Sequence, residues 1–364
     1  MTETSDLLVF WGVVAARFFV PFTIPRYPLP GVLVSLVIDG IDQTIFQVYT
    51  ELPLDRYQGY DKALDIYYLT ITYVSTFRIW TNLFAFQMER FFFFYRLGGV
   101  MLFELIHYRP LLMIFPNTFE YFFIFYEIVR VKWNPARLCR MHLLVAAALI
   151  WIVIKLPQEY IIHIAQVDTT EWFADHVSAP WNVVAPVAVL TLMVFGVVWF
   201  VRRLPPTDWG FTFSADATLR MAEEVLEEDE TVRRRPFFGL ALLERAGLVV
   251  MVGIIFAQVL PDIKASGLEV AVGASILVLI STGLSQWLGQ IGRGWEGTVR
   301  EFLVMIAVNL GLVLVIVILL PSYEGQINIV NVIFFTLLFT IVVTLWDRYR
   351  VVHRMRFPKR AGAA

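Results

Sequence analysis

The chain has 364 residues, of which 58% are apolar and only 16% are charged, and its formal net charge is −2. That balance excludes an ordinary soluble domain, where about a quarter of residues are charged. It also excludes a nucleic-acid binder, since no basic patch interleaved with aromatics is present.

The expected fold class is therefore all-α: a polytopic integral membrane bundle. A helix needs about 17–25 apolar residues to cross the hydrocarbon, and only helices or closed barrels satisfy every backbone group there. In chain order the apolar runs predict spans at 7–24, 31–50, 62–80, 83–106, 111–129, 143–156, 181–201, 246–260, 268–287, 302–320 and 331–346, about eleven in all. Two parts follow: residues 1–142, which carry charges at membrane depth, and residues 143–364, an apolar scaffold interrupted by a cytoplasmic loop at 204–244.

Lys and Arg are retained on the cytoplasmic side. Arg130, Lys132, Arg137 and Arg140 crowd one loop, Arg202, Arg203 and Arg233 to Arg235 flank another, and Arg348, Arg350, Arg354, Arg356, Lys359 and Arg360 fill the tail. Alternation puts all three inside, the C-terminus in the cytoplasm and the N-terminus outside. The N-terminus lacks the basic region and cleavage site of a signal peptide, so the first helix is expected to remain in the mature protein. The protein is thus expected in the cell membrane, in contact with lipids and open to a protein partner or a second copy.

Several features have plain readings. The one cysteine, Cys139, permits no intrachain disulfide. Glu159 and His163 stand at i, i+4 in a stretch that also holds Asp168, Asp175 and His176; an amphipathic helix on the outer membrane surface explains them without a metal. In the long loop, Ser214 or Asp216 is placed to cap a solvated helix whose exposed side carries Glu223, Glu224, Glu227, Glu228, Asp229 and Glu230. Gly289, Gly292, Gly294 and Gly297 lie between two predicted spans, without the strand that a nucleotide fold needs.

The informative asymmetry is charge. The first five spans and their edges hold Arg17, Asp39, Asp42, Asp65, Glu89, Arg90, Arg96, Glu104, Glu120 and Glu127, whereas the later spans are nearly free of ionisable groups. Such residues are costly in a bilayer and face a protein interior or a wet cavity, so the site is expected before residue 130. Asp39, Asp42, Gln43 and Gln47 share one face of the second span, and Gly40 is expected to let a neighbouring helix approach. Asp61 and Asp65 are one turn apart on the third, with Tyr68 and Thr72 continuing their stripe. Asn117, Glu120 and Glu127 share a side of the fifth, just after Pro116, which frees a backbone carbonyl. Simple pairing is one account: Arg17 with Asp39 or Asp42, Arg96 with Glu120 or Glu127. Arg78, Glu89 and Arg90 are expected to snorkel to the cytoplasmic boundary.

Four aspartates are harder to neutralise by pairing, and excess carboxylate is what Mg2+ or Mn2+ asks for, in partnership with substrate phosphates. The intervals among Asp39, Asp42, Asp61 and Asp65 resemble the four-aspartate pattern of the CDP-alcohol phosphotransferases. The resemblance covers less than a tenth of the chain. It implies a divalent metal held by aspartates of two neighbouring helices, which also help to activate an alcohol. The chain departs from that pattern at Gln43, where the family has Gly, and at Phe46 and Gln47, where it has Ala-Arg. The family's site also faces the cytoplasm, while the topology read here turns Asp61 and Asp65 outward.

Three functions stay open. One is a metal-dependent enzyme on a lipid or polyprenyl phosphate: Asp39, Asp42, Asp61 and Asp65 are the ligands, Asp61 and Asp65 do the chemistry, and Arg96, Gln43, Asn117 and Glu120 contact substrate. Another is a transporter or channel with a carboxylate-lined path. The third is a structural subunit whose aromatic runs, Phe91 to Tyr95 and Phe119 to Tyr126, pack on a partner.

Overall fold

The computed structural model describes residues 3–50, 55–165, 240–259 and 329–356, with short pieces at 188, 191, 195, 199, 202–203, 206–208, 303–308 and 310–311. Among them every regular element is helical and no strand occurs. The helices are α1 (Glu3–Phe19), α2 (Pro28–Tyr49), α3 (Asp55–Ile79), α4 (Leu83–Ile106), α5 (Pro110–Ile114) and α6 (Thr118–Lys132). They continue with α7 (Arg140–Leu149), α8 (Leu156–Glu159), α9 (Leu240–Val259) and α10 (Ile329–Arg356). The predicted spans at 181–201, 268–287 and 302–320, the acidic loop helix, and Asp168, Asp175 and His176 fall wholly or mostly outside the described residues.

Among the described residues, three stretches are long and apolar enough to cross a membrane: Asp6–Thr23, Pro110–Lys132 and Arg140–Ala165. The last is longer than the predicted 143–156. After α7 the chain runs on through wide π-type turns at Ile150–Lys155 and Tyr160–Ala165, on either side of α8 and Pro157. Proline removes an N–H from the ladder, and such widened turns are a known way for a helix to absorb an irregularity.

Local chemistry sets the boundaries. Asn82 caps α4, its side chain accepting from the backbone N–H of Phe84 and Ala85 at 3.1 Å each. The helix ends at His107, in the left-handed region at φ 56°. The predicted fifth span is two helices, because Pro116 interrupts the ladder between α5 and α6.

The third helix is the axis of the bundle. Its stretch from Ala63 to Trp80 is almost wholly buried, against α1, α2, α4, α9 and α10. Aromatic packing knits these together: Tyr73 stacks on Phe93 at 4.3 Å, and Trp80 lies 4.0 Å from Tyr126. Phe119, Phe122, Phe123 and Tyr126 have no exposure, and of the Phe91 to Tyr95 run Phe92 and Phe93 are buried while Phe91 is exposed. The aromatic runs thus build the core of the chain itself.

The expectation for Gly40 is corrected: a Cβ there would meet nothing within 4 Å. The close approaches are at Gly31, packed on Ile24, and Gly99, packed on Phe115. Snorkelling is corrected for two of its three residues, since Arg78 is 3% exposed and donates to the Pro25 carbonyl at 2.7 Å, and Glu89 has no exposure, whereas the Arg90 side chain is 44% exposed.

Candidate functional site

Helices α1, α2 and α3 meet pairwise, and the polar residues on their facing sides converge. The Arg17 guanidinium, near the end of α1, donates to four carboxylates: Nη1 to Asp42 and Asp61, Nη2 to Asp39 and Asp65. Pairing was expected with Asp39 or Asp42; all four aspartates share the one arginine. The i, i+3 spacing on α2 and i, i+4 spacing on α3 aim two carboxylates from each helix at the same point.

The cluster has a base and a rim. The side chains of Arg17 and Asp42 are 4% and 1% exposed, whereas Asp39 and Asp65 are 32% and 41% exposed. One carboxylate oxygen each from Asp39, Asp61 and Asp65 lies within 4.8 Å of the others, so these three could hold a metal ion. The donors are hard oxygens, the type that Mg2+ and Mn2+ prefer. With all four carboxylates ionised, they outnumber by three the one guanidinium that joins them among the described residues.

A second polar group begins one turn further along α3. Tyr68 donates to Glu120 Oε1, and Asn117 Nδ2 donates to Glu120 Oε2 at 2.9 Å. Tyr68 is also close enough to feel the charges of Asp39 and Asp65. The stripe read as Asp61, Asp65 and Tyr68 is therefore continuous in space, and it carries the site from α2 and α3 to α6.

The break at Pro116 explains the rest. It frees backbone groups that a continuous helix would pair, and buried backbone groups need partners. The Ile114 carbonyl accepts from Tyr95 Oη at 2.9 Å, the Phe115 carbonyl accepts from Arg96 Nη1 at 3.0 Å, and the Asn117 N–H donates to Glu159 Oε1 at 3.1 Å. Arg96 and Glu159, 3.9 Å apart, thus both cap the break.

Arg96 meets neither Glu120 nor Glu127 by any hydrogen bond or ion pair, and no contact joins it to the aspartates. It borders a small, mostly apolar cleft with Ile66, Leu69, Phe93 and Phe119. Its hydrogen bond holds the Phe115 carbonyl at the break. Glu127 instead accepts from Trp80 Nε1 at 2.8 Å and from Arg130 Nε at 2.7 Å. The side chain of Gln43 lies outside those described.

Glu159 is the residue the sequence reading misplaced. It is buried inside the bundle, not on the outer membrane surface, with His163 Nε2 at 3.0 Å and Lys155 Nζ at 4.0 Å. The spacing of Lys155, Glu159 and His163 at i, i+4 and i+8 was the available signal: a polar stripe turned inward on an otherwise apolar helix. Charge at depth therefore extends beyond residue 130.

The described part is thus a helical bundle with a carboxylate-rich cluster enclosed by three of its helices and joined to a polar stripe on a fourth. No protein-family model, no curated protein and no solved structure matches the chain.

Proposed function

We propose that this chain is a multi-pass protein of the cell membrane, with about eleven spans, its N-terminus outside and its C-terminus cytoplasmic. Its aspartates hold Mg2+ or Mn2+, and it acts on a lipid or polyprenyl phosphate. The observation that carries the reading is the convergence of Asp39, Asp42, Asp61 and Asp65 on a single guanidinium. Evolution has little reason to gather four carboxylates around one cation for packing alone, because buried ion pairs contribute little net stability.

The cation would be held by Asp39, Asp61 and Asp65. Bound there, it would draw charge from phosphoryl oxygens. Asp42 and Arg17 form the buried base that fixes the rim carboxylates, and Asp61 or Asp65, at the open rim, takes the proton of an attacking hydroxyl. The departures at Gln43, Phe46 and Gln47 from the CDP-alcohol phosphotransferase pattern leave the nature of the head group to experiment.

The test is the thermal stability of the purified protein with and without Mg2+ or Mn2+, in wild type and Asp65→Asn. A metal at a hundred times its Kd adds about 2.7 kcal/mol to the folded state, and the gain should vanish in the variant. Indifference of the wild type to both metals sinks the reading. A positive result leads to a screen of lipid phosphates as substrates.

One observation favours a second reading. The polar stripe from the aspartates through Tyr68 and Glu120 to Asn117 and Glu159 suits a path for protons or cations. Under that reading, reconstituted vesicles would carry a proton flux that Asp42→Asn abolishes, with no dependence on divalent metal.

A further inference from the structure

A second layer of charge lies away from the aspartates, where α9 and α10 meet α3 and α4. Glu244 of α9 accepts from Tyr73 Oη at 2.7 Å and from Arg350 of α10 at 2.9 Å, and Arg90 of α4 stands 3.9 Å away. One residue further along α9, Arg245 Nη2 donates to Asp347 at 2.6 Å. Two crossed pairs thus tie one turn of α9 to one turn of α10.

These pairs leave both arginines with donors in hand. Arg245 is 3% exposed, yet its Nε and Nη1 have no hydrogen-bond partner among the described residues. Arg350 Nε and Nη1 are likewise buried without one. Its guanidinium lies over Phe77 and Trp346, 5.1 and 5.7 Å from the ring centroids, so its plane is held while those donors stay open. A guanidinium offers five N–H groups in a fixed fork, and a buried donor without an acceptor is costly.

The charge count points the same way. Among the described residues, Arg90, Arg245 and Arg350 face Glu244 and Asp347. Three positive charges against two negative leave a surplus of one. The layer is reachable on one side, where the side chains of Arg90 and Asp347 are 44% and 26% exposed.

A group that fills this layer must be an acceptor with no donors to spare, should bring at least one negative charge and should offer several oxygens to the four open donors. A carboxylate brings one; a phosphate monoester brings between one and two and presents three oxygens to the fork. We propose that Arg245 and Arg350 form a binding site for a phosphate-type anion, either free phosphate or the phosphomonoester head group of an anionic lipid. The site stands apart from the aspartate cluster and does not rest on the metal reading.

The experiment uses the full-length protein in detergent with a chelator present, so that no divalent metal links an anion to the aspartates. Sodium phosphate is titrated against sodium chloride at matched ionic strength, and phosphatidic acid against phosphatidylcholine in mixed micelles. The unfolding midpoint and the adducts in native mass spectrometry are read in each. A saturable rise with one adduct per chain is expected. A response to phosphate assigns the free anion, and a response to phosphatidic acid alone assigns the lipid head group.

The R245K/R350K variant keeps both charges and both acidic partners but loses the fork, and should bind about tenfold more weakly. The proposal is overturned if the wild type responds to neither anion, or if the lysine variant responds as the wild type does. Should that variant not fold, the wild-type spectra decide alone: no anion adduct above the chloride and phosphatidylcholine controls overturns the site.

Discussion

The Tyr68 hydroxyl, on α3, donates to the carboxylate of Glu120, on α6, across 52 residues of sequence, while Asn117 holds the other oxygen. Both Tyr68 and Glu120 are buried, so the loss of the phenol leaves an acceptor that water cannot replace. Tyr68→Phe is expected to cost about 1–3 kcal/mol, seen as a lower unfolding midpoint in detergent. Thr72→Val, one turn on, removes only a hydroxyl bonded to the Tyr68 carbonyl within the same helix and should cost less. Equal midpoints for the two variants would mean that the Tyr68–Glu120 contact contributes nothing.

Among the described residues, Arg17 is the sole guanidinium among four carboxylates in the aspartate cluster, so its removal is expected to be the most disruptive single change there. Arg17→Gln is expected to destabilise by about 3–5 kcal/mol, the usual cost of stripping a buried charge of its partner. Asp42 is the most deeply buried of the four, and Arg17→Gln with Asp42→Asn should recover part of that loss, with a coupling of about 0.5–3 kcal/mol. If a metal binds here, Mn2+ should raise the midpoint of Arg17→Gln more than that of the wild type. Additive single-variant effects would place Arg17 and Asp42 in separate environments, against the geometry.

How much of this was legible depended on whether the cause was local. The apolar run read as a span at 83–106 coincides with α4 to the residue, and the Asn82 cap found in the structure shows why the helix starts there. The facing aspartates of α2 and α3 were legible for the same reason, since helical periodicity alone puts each pair on one side. The role of Arg96 was not. It depends on a carbonyl freed at Phe115 and on a glutamate 63 residues further on, and only tertiary packing brings these together. Glu159 was misplaced because Pro157 and Glu159 look like a span boundary, whereas the chain passes through both in a helix widened on either side of them. Gly40 failed as a contact because a small residue permits close approach without requiring it.

Glu89 and Glu127 form a contrasting pair of buried acids. Both have no exposure, but Glu127 is held by Trp80 and Arg130, while neither oxygen of Glu89 has a hydrogen-bond partner among the described residues. Replacing a buried acid by an apolar residue of similar size is neutral or stabilising when nothing depends on it and costly when partners are stranded. Glu89→Met should therefore hold or raise the midpoint, and Glu127→Met should lower it by about 3–5 kcal/mol of stability. A large loss in Glu89→Met would reveal a bound group or proton that the carboxyl serves.

Gly98 and Gly99 offer a test of the break at Pro116 that touches no charge. A methyl at Gly98 would meet nothing within 4 Å, whereas one at Gly99 would lie 2.1 Å from Phe115 Cβ and 2.5 Å from its Cγ. Alanine is favoured over glycine within a helix by about 1 kcal/mol, so Gly98→Ala should stabilise slightly. Gly99→Ala instead pushes α4 off the break and is expected to cost about 1–3 kcal/mol. Phe115→Ala in the same background should recover part of that loss, since the ring is what the methyl strikes. Because Arg96 reaches the Phe115 carbonyl from the same helix, Gly99→Ala should also weaken that bond and add to the effect of Pro116→Ala less than either change alone predicts. Should Gly99→Ala unfold at the same temperature as Gly98→Ala, the packing of α4 on Phe115 is wrong, and with it the account of what Arg96 does.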